Sequence, residues 1–141
     1  MSEPVALPAW EPGTVAVLST GGDAPHAIPV STARRAGPRR IVLALARTRA
    51  SLERLRADPR CALTVVAGGD LAFTAHGRAT VVEDPMAAAE GVVAVAIDVD
   101  AVQDHADPRF AIEGAVRWRW IDDGAAERDA AIHAALARLH G

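Results

Sequence analysis

The sequence predicts a mainly β protein, a β-barrel with flanking helices, formed by a single domain over residues 1–141. Two observations support this fold class. Extended apolar runs follow one another along the chain and are separated by turns rich in Gly, Pro and Asp. Most of these runs have no helix between them, whereas parallel strands need such crossover helices. We therefore expect about six strands that pair antiparallel and close into a barrel.

The first two strands are expected to form a hairpin. Thr14–Thr20 is apolar and β-branched, and a second extended run, His26–Thr32, follows a Gly-Gly-Asp-Ala-Pro turn. The next segment, Arg34–Arg39, contains Gly37 and Pro38, and it is predicted as a turn.

A third strand and a short helix come next. Ile41–Ala46 is a nearly unbroken apolar run of strand length. The predicted helix after this third strand is Arg49–Asp58, with Thr48 as its N-cap and Pro59 after its last residue.

The second half of the chain predicts three more extended segments and a C-terminal helix. Cys61–Ala67 and Leu71–Glu83 read as a hairpin with a bulge at Gly77, and Asp84–Gly91 as a turn or short helix. Val92–Val102 and Phe110–Ile121 are strand-like, the latter with a bend at Gly114. The strongest helical pattern is Gly124–His140, and its apolar face consists of Ala131, Ile132, Ala135, Leu136 and Leu139.

Composition excludes several classes of protein. A net charge of −3 argues against nucleic-acid binding, which usually needs a basic face. The chain has no lysine and no tyrosine, so a pyridoxal Schiff base, a P-loop and tyrosine acid catalysis are excluded. All 15 basic residues other than histidine are arginines, whose paired donors suit phosphate.

Cysteine usage and hydropathy indicate the compartment. With Cys61 as its single cysteine the chain forms no internal disulfide, and no Cys/His cluster has zinc spacing, so no metal is expected. The apolar runs are too short to span a bilayer, and residues 1–13 lack the pattern of a signal peptide. These observations predict a cytoplasmic protein without a membrane partner.

Four fragments in a characteristic order resemble a known family. They are Thr14-Val15-Ala16-Val17-Leu18-Ser19-Thr20, Pro25-His26-Ala27-Ile28-Pro29-Val30, Leu52-Glu53-Arg54-Leu55-Arg56-Ala57-Asp58-Pro59-Arg60 and Gly77-Arg78-Ala79. Their order resembles that of the pyridoxamine 5'-phosphate oxidase-like, FMN-binding split-barrel family. The resemblance covers most of residues 13–85 and extends more weakly to Asp122. It implies a six-stranded split barrel that is usually a homodimer, with flavin sites in the dimer interface.

The same resemblance implies the residues of a cofactor site. At the flavin ring it implies Pro29, Val30, Ser31 and Thr32, and at the phosphate it implies Ala46, Arg47, Thr48, Arg49 and Ser51. Elementary electrostatics agrees with the second group, because a helix N-terminus offers free N–H groups and a partial positive charge.

Each of the other candidate residues has two possible roles, one structural and one functional. His26 and His76 lie in strand-like runs where each either meets a ligand or is a structural residue. Trp118 and Trp120 share a strand face, for core or dimer packing or for ring contact. Arg78 fits the family pattern but reads better as a barrel residue, and no catalytic residue is identified.

The function expected from the resemblance is that of an FMN-dependent oxidoreductase acting on a small organic substrate. A bound flavin carries the hydride itself, so no side-chain acid is obligatory. The chain lacks the C-terminal Arg/His substrate region of true pyridoxamine phosphate oxidases. Three alternatives remain: a reductase that uses an 8-hydroxy-5-deazaflavin coenzyme, a non-enzymatic flavin- or haem-binding module, and a cofactor-free dimeric interaction protein.

Overall fold

The computed structural model describes residues 6–139 as seven strands and two helices. The elements are β1 (Ala16–Thr20), β2 (His26–Val30), β3 (Arg34–Gly37), β4 (Arg40–Ala46), α1 (Ala50–Ala57), β5 (Arg60–Ala67), β6 (Leu71–Glu83), β7 (Val92–Asp104) and α2 (Asp123–Ala137). The strands form one antiparallel sheet in the order β2-β1-β5-β6-β7-β4-β3. The predicted mainly β, antiparallel class is therefore confirmed.

The sheet curls around the larger of two apolar clusters. Leu18 of β1 and Leu43 of β4 are both fully buried in the same cluster, although three strands separate β1 from β4 in the sheet. Leu52 and Leu55 of α1 join this cluster. The edge strands β2 and β3 do not pair with each other, so the barrel is split between them.

Strands β4 and β7 are apolar on both faces because each lies between two layers. In β7 the odd-numbered residues from Val93 to Val99 face the barrel core. Its even-numbered residues Val92, Ala94 and Ala96 pack under α2 against Ile132 and Leu136. This second layer explains why the two strands read as unbroken apolar runs.

A bulge lies at Gly77, as the sequence predicts. The register between β6 and β7 shifts between His76 and Gly77. A Cβ at Gly77 would collide with the backbone carbonyl of Asp98. The close approach of the two strands at this point therefore requires glycine.

Two predicted segments differ from the structure. Arg34–Arg39 is not only a turn, because Arg34–Gly37 forms the edge strand β3 and only the residues after it turn. The short helix therefore follows the fourth strand and not the third. Phe110–Ile121 contains no strand: within residues 6–139 its backbone has no strand partner and is irregular.

Smaller differences concern the helices. The N-cap of α1 is Arg49, which makes no side-chain capping bond, so Thr48 is not the cap. Of the two alternatives predicted for Asp84–Gly91, a turn or a short helix, the structure has turns. In α2 Ala131 is exposed, while Ile132 and Leu136 are buried as predicted. The predicted last residue of this helix, His140, lies outside the described residues.

A capping bond fixes the start of α2, where the Asp122 carboxylate accepts a hydrogen bond from the Ala125 amide at 2.7 Å. Neither helix of residues 6–139 is long and apolar enough to cross a membrane.

Candidate functional site

A small cavity of about 170 Å³ opens between the end of β2 and the end of β4. One wall consists of Pro29, Val30, Ser31 and Thr32. The other wall consists of Ala44, Leu45, Ala46 and Arg49. The lining combines apolar side chains with two hydroxyl groups and one guanidinium. We call this space the first cavity.

Thr32 holds the two walls at a fixed distance. Its hydroxyl donates a hydrogen bond to the Ala44 carbonyl at 3.1 Å and accepts one from the Ala44 amide at 3.0 Å. The next residue, Ala33, is fully buried, and its carbonyl accepts a hydrogen bond from the Trp10 indole at 2.9 Å. A side chain thus replaces the strand pairing that is missing where the barrel is split.

Arg49 and the start of α1 make the positive end of the first cavity. The first amides of a helix generally lack an intrahelical acceptor. In α1 the Leu52 amide donates to the Arg49 carbonyl at 3.1 Å, and no side chain caps the start of the helix. Arg49 is exposed and forms no ion pair within residues 6–139. An uncapped helix end beside a free guanidinium favours a bound anion.

The structure brings together six of the nine predicted cofactor residues: Pro29, Val30, Ser31, Thr32, Ala46 and Arg49 line the first cavity. The other three do not line it. Arg47 instead pairs through Nε with the Asp84 carboxylate at 3.2 Å, and Arg56 contacts the same carboxylate at 2.7 Å. Thr48 lies exposed in the turn before α1.

Ser51 points away from the first cavity into the protein. It is fully buried, and its Oγ lies 3.1 Å from His26 Nε2. The same pair places His26 in a structural contact between β2 and α1. His76 is exposed on β6, 3.5 Å from the Gln103 side chain, and Arg78 is also exposed there.

A second cavity of about 320 Å³ lies on the other side of the end of β2. It shares Pro29, Val30 and Ser31 with the first cavity. Its opposite wall is formed by Trp118, Arg119 and Trp120, and Val15 lines it as well. The two indole rings meet edge to face, with centroids 5.4 Å apart.

Sequence reasoning did not identify Ala44, Leu45, Val15 and Arg119 as lining residues. Ala44 and Leu45 belong to a run predicted as a strand, and the inward alternation of that strand is a usable signal. Arg119 carries no such signal, because the position of its segment depends on contacts with distant residues. Within residues 6–139 no group of three or more His, Cys, Asp or Glu side chains is placed to hold a metal ion.

Comparison with known proteins identifies the family. The sequence profile described as "Pyridoxamine 5'-phosphate oxidase" matches residues 6–120. No curated protein matches the chain.

Several solved structures share the fold. A FAD-binding protein from Mesorhizobium loti has 17% identity and a TM-score of 0.53, covering 63% of this chain and 83% of that one. General Stress Protein 26 from Bacillus anthracis has 17% identity and a TM-score of 0.54, with 64% and 82% coverage. An F420 reductase has 15% identity and a TM-score of 0.56, with 66% and 91% coverage.

The match over residues 6–120 extends far beyond the four fragments that carry the resemblance in the sequence. The split between β2 and β3, the helix after β4 and the first cavity lie within the matched part of the chain. The chain belongs to the pyridoxamine 5'-phosphate oxidase family and has its split-barrel fold.

Proposed function

We propose that the protein is an FMN-binding oxidoreductase that acts on a small organic substrate, with the cofactor bound in the first cavity of a homodimer. The observation that carries this proposal is the free Arg49 guanidinium beside the uncapped start of α1. It is the positive end of a cavity whose other residues are apolar or small and hydroxylated.

The residues of the first cavity fit a flavin phosphate. Arg49 and the first amides of α1 would bind the phosphate, because they supply both charge and N–H donors. Arg47 is held by Asp84 and would contribute positive charge from a greater distance. The chain needs no lysine for this arrangement.

The Pro29–Thr32 wall would contact the ring of the flavin. A bound flavin accepts and donates the hydride, and the protein supplies orientation and exclusion of water. Ser31 and Thr32 offer oxygen atoms along this wall, and Thr32 is kept in place by its two bonds to Ala44.

The size of the first cavity supports a second subunit. Cofactor sites usually enclose about 300–1,000 Å³. The first cavity has about 170 Å³, so one chain supplies only part of such a site. A second copy of the chain would complete the walls and exclude water.

A deazaflavin reductase is the second candidate. One solved structure with this fold is an F420 reductase, and a deazaflavin coenzyme also carries a phosphate-bearing tail that Arg49 would bind. A non-enzymatic flavin or haem module and a cofactor-free dimer are the remaining alternatives. The cytoplasmic location stays a prediction from the sequence.

The absorption spectrum of the purified protein separates these candidates. A flavin, a deazaflavin and a haem have distinct visible bands, and we expect that of a flavin. A colourless protein that takes up neither FMN nor a deazaflavin would contradict the proposal.

The role of Arg49 is tested by comparing FMN with riboflavin, which lacks the phosphate. Arg49→Ala should weaken FMN binding by about ten- to a hundredfold, because a charge-assisted contact contributes about 1.5–3 kcal/mol. Riboflavin binding should change little. The control is Arg109→Ala, which removes an exposed arginine paired with Asp107. Equal losses for both ligands would mean that Arg49 supports the fold and does not bind phosphate.

A further inference from the structure

The second cavity has features of a binding site that the cofactor does not use. Trp118 and Trp120 are 39% and 44% exposed, although indole rings are usually covered. Both rings keep part of their surface exposed and line the same cavity as Pro29 and Val30. An apolar, flat occupant would cover this surface.

The aromatic wall is fixed in position. The Trp118 indole donates a hydrogen bond to the Gly13 carbonyl at 2.9 Å. A Cβ at Gly13 would lie 4.0 Å from the Trp118 ring, and the φ of +89° at Gly13 suits glycine. Because Trp118 also packs on Trp120, both rings are held against the end of β2 before any ligand arrives.

The charge of the residues that line the second cavity sets a second requirement for its ligand. Arg119 lines the second cavity and forms no ion pair within residues 6–139. No carboxylate lines the cavity. An unpaired guanidinium in a cavity that two indole rings also line matches a ligand that is both aromatic and anionic.

We propose that the second cavity is a subsite for a planar aromatic carboxylate, which stacks on Trp118 and Trp120 and pairs with Arg119. As a substrate subsite this inference rests on the proposed function, because it places the ligand beside the flavin ring. The shared residues Pro29, Val30 and Ser31 form the partition between the two ligands.

The test is a calorimetric titration of the purified protein, loaded with FMN and free of it. The probes are naphthoate and naphthalenemethanol, its uncharged analogue of similar shape. Arg119→Gln should weaken naphthoate binding by at least about tenfold and leave naphthalenemethanol binding nearly unchanged. Trp120→Ala should weaken both, with circular dichroism to verify the fold. The matched control is Arg117→Gln, an exposed arginine that does not line the cavity.

The outcomes separate this inference from the proposed function. Absence of saturable naphthoate binding, or equal effects of Arg119→Gln and Arg117→Gln, would overturn the subsite. Competitive displacement of naphthoate by FMN would also overturn it, because the second cavity would then belong to the cofactor. A protein that takes up no FMN contradicts the proposed function alone, and Arg119-dependent naphthoate binding to it still supports the ligand site.

Discussion

His26 and Ser51 are candidate ligand-binding residues in the sequence, but in the structure their side chains connect two elements of the fold. Ser51 is fully buried, and its hydroxyl has His26 Nε2 as partner at 3.1 Å. Arg54 adds a second link between α1 and the β1–β2 turn, since its Nη1 donates to the carbonyls of Gly21 and Ala24 at 2.9 Å. These bonds fix the start of α1, and with it Arg49, relative to β2.

His26→Ala should therefore affect stability more than chemistry. The variant loses a hydrogen bond to a buried hydroxyl, which costs about 1–3 kcal/mol in urea unfolding. It should keep its cofactor. The rate of flavin reduction, monitored by the loss of visible absorption, should fall by less than about a hundredfold. His76→Ala, on an exposed part of β6, serves as the control and should change neither quantity appreciably. A loss of about a thousandfold or more with a flattened pH profile would identify His26 as an acid or base.

The pKa of the Cys61 thiol predicts how the stability of the protein changes at alkaline pH. Burial, with the charge of Asp100, raises the pKa of the Cys61 thiol from 9.0 to about 11. The folded state therefore favours the neutral thiol. Its contribution to stability is complete below pH 9 and is lost as the pH rises towards about 11. The chain has no lysine and no tyrosine, so no other side chain normally titrates in this window.

Urea unfolding between about pH 8 and about pH 10.5 measures this effect. The free energy of unfolding should fall with pH in the natural protein and stay nearly flat in Cys61→Ala. Identical slopes in the two proteins would show that the thiol titrates alike in the folded and unfolded states.

At the residue level the sequence predicted one part of the candidate site better than the other. The four residues of the Pro29–Thr32 wall follow one another along the chain, and all four line the first cavity. Among the predicted phosphate residues, Arg47 and Ser51 turn elsewhere because their partners, Asp84 and His26, are 37 and 25 positions away. Local pattern carries no information about such partners.

Among the elements, the strands with strong apolar patterns were predictable and the weakly patterned one was not. Leu71–Glu83 has the predicted bounds, and β7 starts at the predicted Val92. Arg34–Gly37 was not predicted as a strand, since Arg-Arg-Ala-Gly has no apolar alternation. The segment is a strand because it pairs with β4. Phe110–Ile121 has the composition of a strand, yet no strand of residues 6–139 pairs with it.

Gly77 of β6 should not tolerate a larger residue. In Gly77→Ala the new methyl group meets the Asp98 backbone, which cannot move without breaking the β6–β7 pairing. We expect a loss of about 1–3 kcal/mol or more in the free energy of unfolding. The matched control is Gly37→Ala in β3, where the nearest atom is the Arg40 Cβ at 3.8 Å and little should change. Equal stability of the two variants would contradict the close approach at the bulge.

For the whole molecule, the sequence indicated a barrel but not the order of its strands. Antiparallel pairing of neighbours accounts for the β1–β2, β3–β4, β5–β6 and β6–β7 hairpins. The pairings of β1 with β5 and of β4 with β7 join segments far apart in the chain, and they close the curve of the sheet. Only packing around the shared core selects them, so they follow from tertiary contacts and not from local sequence.

The homodimer is the prediction that concerns the whole molecule. Beside the second cavity, the segment after β7 exposes the apolar side chains of Val116 and Ile121 to 65% and 89%, and neither of them lines that cavity. Such a cluster of apolar side chains is typical of a protein interface. A second copy that covers it would also bring further walls to the incomplete first cavity. Sedimentation should therefore detect a dimer at micromolar concentration with cofactor bound.

The variant Ile121→Glu tests the position of this interface. It should raise the dissociation constant of the dimer at least about tenfold, because a charge would be buried. Ala131→Glu, on the exposed side of α2, should leave the constant unchanged. A cofactor-loaded monomer at that concentration would contradict the prediction.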